Sequence, residues 1–193
     1  MHLSKLLQSS ISDCWEERAN KVLSNFNFSN PDEIDMYQIC WKYGVKIKPL
    51  DMHFFDGEIN GGIKAMSFPK EKGRRGVIYL LPNLDPLEKK VILAEEFCHC
   101  YSHHISQISS NDSLIAKTEA QAKRMAAYLL MPNKFLKNAY SAAEEEAVMI
   151  SDIADYFVVS EEFAHYRLRL IFDRQVDGFG MVKGKLGSIE WIY

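Results

Sequence analysis

The sequence predicts an α+β fold, mostly helical, with a small three-stranded sheet placed after two helices. Three observations carry that expectation. Apolar residues recur at three and four along most of the chain. Between 45 and 81 they instead alternate or gather into short blocks of strand length. The stretch 173–193 turns glycine-rich, at Gly178, Gly180, Gly184 and Gly187.

The first helix is expected between about Lys5 and Phe26, where Leu6, Leu7, Ile11, Trp15, Ala19, Val22, Leu23 and Phe26 keep the helical period. Asn30, Pro31, Asp32 and Glu33 read as a cap, a first-turn proline and early acidic residues. They open a second helix through Ile34, Tyr37, Ile39 and Trp41 that Gly44 ends. Val45–Leu50 alternates and reads as a half-buried strand. Asp56-Gly57-Glu58 and Gly61-Gly62 mark a turn before a second strand, Ile63–Phe68. The charged link Lys70–Arg75 leads to a third, more apolar strand, Gly76–Leu81. Asp85 is placed to cap a helix with Pro86 at its first position, running through Leu87, Val91, Ile92, Ala94, Phe97 and Cys98 toward His104.

The polar stretch Ser106–Ser113 breaks that helix. A long amphipathic helix then runs from Leu114 to Leu130 and stops at Met131-Pro132. Shorter helices are expected at Asn133–Tyr140 and Glu144–Phe157, and Ser160-Glu161-Glu162 caps a last one reaching Phe172. The expected organisation is one domain over 1–172. It comprises an N-terminal helix in 1–30, the sheet in 45–81, a helical pair in 86–131 and C-terminal helices in 144–172. The tail 173–193 reads as a hairpin or as an extended segment laid on the body.

With 23 basic against 26 acidic residues and a formal charge of -3, the chain has no global field to attract a polyanion, and direct nucleic-acid binding is not expected. No segment has the run of apolar residues that a membrane span requires. The first residues show no apolar core followed by a small-residue cleavage site, so a cytoplasmic protein without membrane contact is expected. Cys14, Cys40, Cys98 and Cys100 fit neither a disulfide framework nor C-x-x-C spacing and read as free thiols.

The chemistry concentrates in Glu95-Glu96-Phe97-Cys98-His99, where carboxylates and an imidazole sit on an otherwise apolar helix and therefore need a partner. Residues four apart share a helix face, so Glu95 and His99 can reach one ion. Glu96, turned about a quarter of the way round, can hold a reacting water. This is the geometry of H-E-x-x-H, in which two histidines bind zinc and the glutamate between them is the general base. Here glutamate takes the first position. The oxygen-richer donor set shifts preference toward harder divalent ions such as manganese. His103, four residues past His99, extends the same stripe as a secondary candidate ligand, and His104 suits the negative end of the helix dipole. The same pattern also describes two solvated carboxylates beside a satisfied core histidine. Glu119, opening an alanine-rich helix, also describes an early-turn glutamate favoured by the dipole.

Taken together, three stretches resemble the ImmA/IrrE family of zincin-like metallo-endopeptidases. They are Leu93-Ala94-Glu95-Glu96-Phe97-Cys98-His99, then Glu119 to Pro132 in the pattern E-A-x-A-x-x-x-A-x-x-L-L-M-P, then Ile153 to Glu161 followed by Arg167-Leu168. The resemblance spans roughly Asp32 to Ile171. It implies a zincin-like domain in which His99 and Glu119 are metal ligands, Glu95 stands in the place of the first ligand and Glu96 in that of the general base. The implied cofactor is Zn2+, with Mn2+ or another divalent ion as alternatives. The implied activity is hydrolysis of a peptide bond in a specific protein, a helix-turn-helix repressor of a mobile element, whose extended segment would be added to an edge strand near Gly62–Phe68.

Two other readings stand beside it. One is a non-catalytic regulatory module that keeps the fold after losing the first histidine. The other is a small DNA-binding helix-turn-helix in Glu144–Phe172, with Arg167, Arg169 and Arg174 as its cations; Glu161, Glu162 and Asp173 in the same segment weigh against it.

Overall fold

The computed structural model describes residues 13–51, 62–70, 75–102 and 112–191. The start of the expected first helix, the turn at Asp56–Gly61, most of the Lys70–Arg75 link, His103, His104 and Tyr193 lie outside the described residues. The architecture is α+β. The chain forms two units, one taking residues up to Ile34 and from Ala127 onward, the other Asp35–Ala126.

Within Asp35–Ala126, helix α2 spans Met36–Lys42 and starts later than the Asn30-Pro31 pattern predicts. Pro31–Glu33 makes only a 3-10 turn, and Asn30 offers it no side-chain cap. Ile34 then turns its buried side chain inward on extended backbone, and the Asp35 carboxylate accepts from Tyr37 N at 2.8 Å to start the helix afresh. Its buried side is Met36, Ile39 and Cys40, whereas Trp41 is 82 % exposed. Strands β1 (Val45–Pro49), β2 (Ala65–Pro69) and β3 (Gly76–Leu80) form a sheet in the order β1-β3-β2, with β3 parallel to β1 and antiparallel to β2. Paired residues share a face. Register therefore puts Val45, Ile47 and Pro49, Ala65, Ser67 and Pro69, and Gly76, Ile78 and Leu80 on one side. Ile78 and Leu80 are buried there.

That side carries helix α3 (Pro86–Ser102). Asp85 caps it, accepting from Leu87 N at 2.9 Å and Glu88 N at 3.3 Å. The close approach of helix to sheet depends on Gly76. A Cβ there would come within 2.6 Å of Cys100 Sγ and 2.8 Å of the Phe68 carbonyl oxygen. Phe97, Tyr101 and Tyr43 pack as an aromatic trio, with ring centroids 5.5 to 5.7 Å apart. Helix α4 spans Asp112–Leu130, and the division between the units falls inside it.

The other unit contains α1 (Cys14–Leu23), the last turn of α4, α5 (Asn133–Ala142), α6 (Ile150–Phe157) and α7 (Glu161–Phe172). A second sheet, β4 (Val148–Met149), β5 (Gly178–Val182) and β6 (Lys185–Ile189), is antiparallel throughout. β4 occupies part of the expected Glu144–Phe157 helix. Val148 and Met149 pair with Phe179 and Gly178, so α6 begins only at Ile150, where Asp152 accepts from Met149 N at 2.7 Å. Arg167 is wholly buried, donating from Nε to the Met131 carbonyl at 2.9 Å and from NH2 to Asn133 Oδ1 at 2.7 Å, over the Tyr128 ring. It is a core residue and no surface cation. Arg174 is committed to Glu190 at 2.6 Å. No helix among the described residues is long and apolar enough to cross a membrane.

Candidate metal centre

Helix α3 is buried on most of its circumference from Leu93 to Tyr101, including His99 at 3 % exposure. Carboxylates entering such a helix lose hydration, and the charged form suffers. Burial is the main reason that the Glu95 carboxyl is pushed up to about 7. Lys123 opposes the shift, Glu119 and Glu96 add to it, and His99 opposes it. Burial also raises Glu96, against a hydrogen bond from the Ser67 side chain and the charge of His99. Glu95 at this value holds a proton about half the time at neutral pH, and a cation arriving among these groups would displace it.

The pair that closes across the fold is His99 and Glu119. His99 Nε2 lies 3.5 Å from Glu119 Oε1, with the imidazole buried and the Glu119 side chain 52 % exposed. An imidazole nitrogen and a carboxylate oxygen, one buried and the other half exposed, are donor types that a divalent ion accepts. Glu95 belongs to the same neighbourhood, since its carboxyl feels Lys123, Glu119, Glu96 and His99. Among the described residues, no three His, Cys, Asp or Glu side chains converge as a ready-made ligand group. The donor types suit a divalent ion, whereas the described geometry brings only two of them, His99 and Glu119, within 3.5 Å of each other. His103, the secondary candidate, lies outside the described residues.

Glu96 Oε2 is buried and has no hydrogen-bond partner among the described residues. A buried acceptor in that condition calls for a donor, and a water is the simplest. An oriented carboxylate beside His99 with one oxygen unspent has what a general base needs.

Two further residues join the site unannounced by the motif. Lys123, one turn after Glu119 on α4, is the largest charge acting on Glu95; its signal is the E-x-x-x-K spacing of an i,i+4 pair. Ser67 supplies the hydrogen bond to Glu96 from β2, and its signal is a polar residue at an inward position of an alternating strand.

Cys40, Cys98 and Cys100 are buried free thiols, and burial pushes Cys40 and Cys100 up to about 12, so they remain protonated and inert at neutral pH. No curated protein matches the chain. The family model Peptidase_M78, described as the IrrE N-terminal-like domain, matches residues 41–169. That is well over half of the chain, and it includes Ser67, Glu95, Glu96, His99, Glu119 and Lys123. With an α+β fold that carries the E-E-x-x-H helix against a small sheet, the chain belongs to this metallopeptidase-type family of IrrE N-terminal-like domains.

Proposed function

We propose that the chain is a metal-dependent endopeptidase. In this reading His99, Glu119 and Glu95 hold one divalent cation, Zn2+ first and Mn2+ as the alternative that an oxygen-rich set admits, and Glu96 is the general base. The observation that carries it is the 3.5 Å approach of His99 Nε2 to Glu119 Oε1 beside a buried Glu96 oxygen without a partner among the described residues. When bound, the ion supplies Lewis acidity to the scissile carbonyl. Glu96 takes the proton of the attacking water at Oε2 and returns it to the leaving amine nitrogen. β2 is one of the two outer strands of the order β1-β3-β2, and its edge, unpaired among the described residues, can take up an extended peptide by strand addition. The substrate is a protein, and the family resemblance points to a helix-turn-helix repressor of a mobile element, met in the cytoplasm.

A second reading has support of its own. Lys123 acts on Glu95 more strongly than any other charge, and no three donors converge among the described residues. An ammonium that balances the carboxylates without a metal would suit a regulatory module that binds its partner and cleaves nothing.

Two measurements separate the readings. Freshly purified protein is assayed for bound divalent ions and for thermal stabilisation by Zn2+ or Mn2+ alone. A terminally labelled peptide library is then incubated with excess Zn2+ and either the wild type or Glu96→Gln. Metal-dependent cleavage that Glu96→Gln abolishes is the expected result. No stabilisation by either ion, together with a library left intact by the wild type, selects the binding module instead.

A further inference from the structure

The face that the sheet turns toward α3 is apolar except at one point. Its nine residues are Val45, Ile47 and Pro49 on β1, Ala65, Ser67 and Pro69 on β2, and Gly76, Ile78 and Leu80 on β3. Ser67 is the one side chain among them with a hydrogen-bonding group. From the opposite side, α3 sends down Cys100, packed on Gly76. One helical turn earlier, about 6 Å toward the helix start, comes Glu96. Two residues along β3 from Gly76, about 7 Å away, is Ile78, and Ser67 is its registered partner. Helix and sheet thus bring Glu96 and Ser67 to the same place. The Ser67 side chain is hydrogen-bonded to Glu96. Oε2 has no partner among the described residues, which leaves Oε1 to take that bond.

We propose that Ser67 is a positioning residue for Glu96: its hydroxyl, fixed on the edge strand, pins Oε1 and leaves Oε2 aimed at the water that reacts. A carboxylate with both oxygens unpinned would swing about its last torsion, which is broad and weakly restrained. A hydroxyl donor on one oxygen removes that freedom without neutralising the charge. Because the donor sits on β2, an outer strand, the strand that would receive an extended peptide is also the one that sets the base.

The catalytic part of this role rests on the peptidase reading above, whereas the hydrogen bond does not. Two assays therefore divide the question. The infrared difference spectrum between the wild type and Glu96→Gln isolates the carboxyl band of Glu96. Ser67→Ala is expected to shift that band, and Ser67→Thr, which keeps the hydroxyl and suits a strand, to return it. An unshifted band in Ser67→Ala overturns the proposal whatever the enzyme does.

The second assay uses the best peptide from the Zn2+-supplemented library. Ser67→Ala is expected to lower kcat about ten- to a hundredfold with KM nearly unchanged, as loss of one hydrogen bond to a charged group implies, and Ser67→Thr to recover most of it. Thermal melting of both variants within a few degrees of the wild type confirms that the fold is intact. A shifted band with unaltered kcat overturns the positioning role and leaves a structural bond. Absence of any Glu96-dependent cleavage removes the peptidase reading and the catalytic role of Ser67 together, while the infrared result still decides whether Ser67 holds Glu96.

Discussion

Replacing Arg167 with alanine should cost about 4 kcal/mol of stability, a large share of what a domain of this size has to lose. The guanidinium is fully buried, and burial lowers it to about 10, still far enough above neutral pH to keep it charged. Its Nε and NH2 bonds, to the Met131 carbonyl and to Asn133 Oδ1, tie α7 to the end of α4 and the start of α5. Its plane lies 4.6 Å from the Tyr128 ring centroid. The same cluster reaches α1, since Tyr128 donates to Asp13 Oδ2 at 2.9 Å and Asn133 donates to Glu16. Two hydrogen bonds from a charged donor contribute about 1.5–3 kcal/mol each. Their loss strands a buried carbonyl and an amide and leaves a cavity, and breaking a buried charged network of this kind usually costs about 3–5 kcal/mol. For a chain of this length, that corresponds to a fall in Tm of roughly 8–16 °C. Urea unfolding followed by circular dichroism measures the loss from the midpoint, provided the slope holds. Arg167→Lys, which keeps the charge without the planar fork, should lose about half as much. A loss below about 1 kcal/mol in Arg167→Ala would refute the view that this arginine clamps three helices together.

Other outcomes follow from the described geometry. The Glu95 carboxyl is raised from 4.5 to about 7, chiefly by burial, so the folded metal-free protein holds a proton there that the unfolded chain has released. Its contribution is fully present below about pH 4.5 and lost as pH rises through 7. It should appear as a wild-type minus Glu95→Gln difference in unfolding free energy that declines by about 3 kcal/mol across that window; a flat difference would contradict the assignment. Added Zn2+ should bind more tightly as pH rises through the same range, because the ligand must lose its proton. Gly76→Ala forces a Cβ to within 2.6 Å of Cys100 Sγ and 2.8 Å of the Phe68 carbonyl oxygen, and should cost about 1–3 kcal/mol in urea unfolding. Cys100→Ala in the same chain should recover only part of that, since the backbone oxygen remains; full recovery would show that sulfur alone sets the spacing.

Much of this fold was legible from local patterns. Asp85-Pro86 starts α3 where a cap and a first-turn proline belong, and Ser160 caps α7 by accepting from Phe163 N at 3.2 Å. Three strands appear where apolar residues alternate. The start of α2 was misplaced because Asn30-Pro31 and Asp35 are both plausible local starts. The choice between them came from burying Ile34, which no spacing rule records. β4 was missed for a related reason: two residues carry no period, and only their pairing with β5 makes them a strand.

The sequence by itself determined that Glu95, Glu96 and His99 share one buried helix, since spacing on a helix fixes which side chains are neighbours. It also determined the family, through motifs whose order and spacing survive without coordinates. Tertiary structure alone decided which side chains those three meet. His99 meets Glu119 from a helix twenty residues on. Glu95 feels Lys123, and Glu96 takes its hydrogen bond from Ser67, on a strand that precedes it by nearly thirty residues. Contacts of that kind depend on how a sheet registers and how closely a helix packs upon it. Register and packing are set by the whole buried face, so no single stretch of sequence contains them.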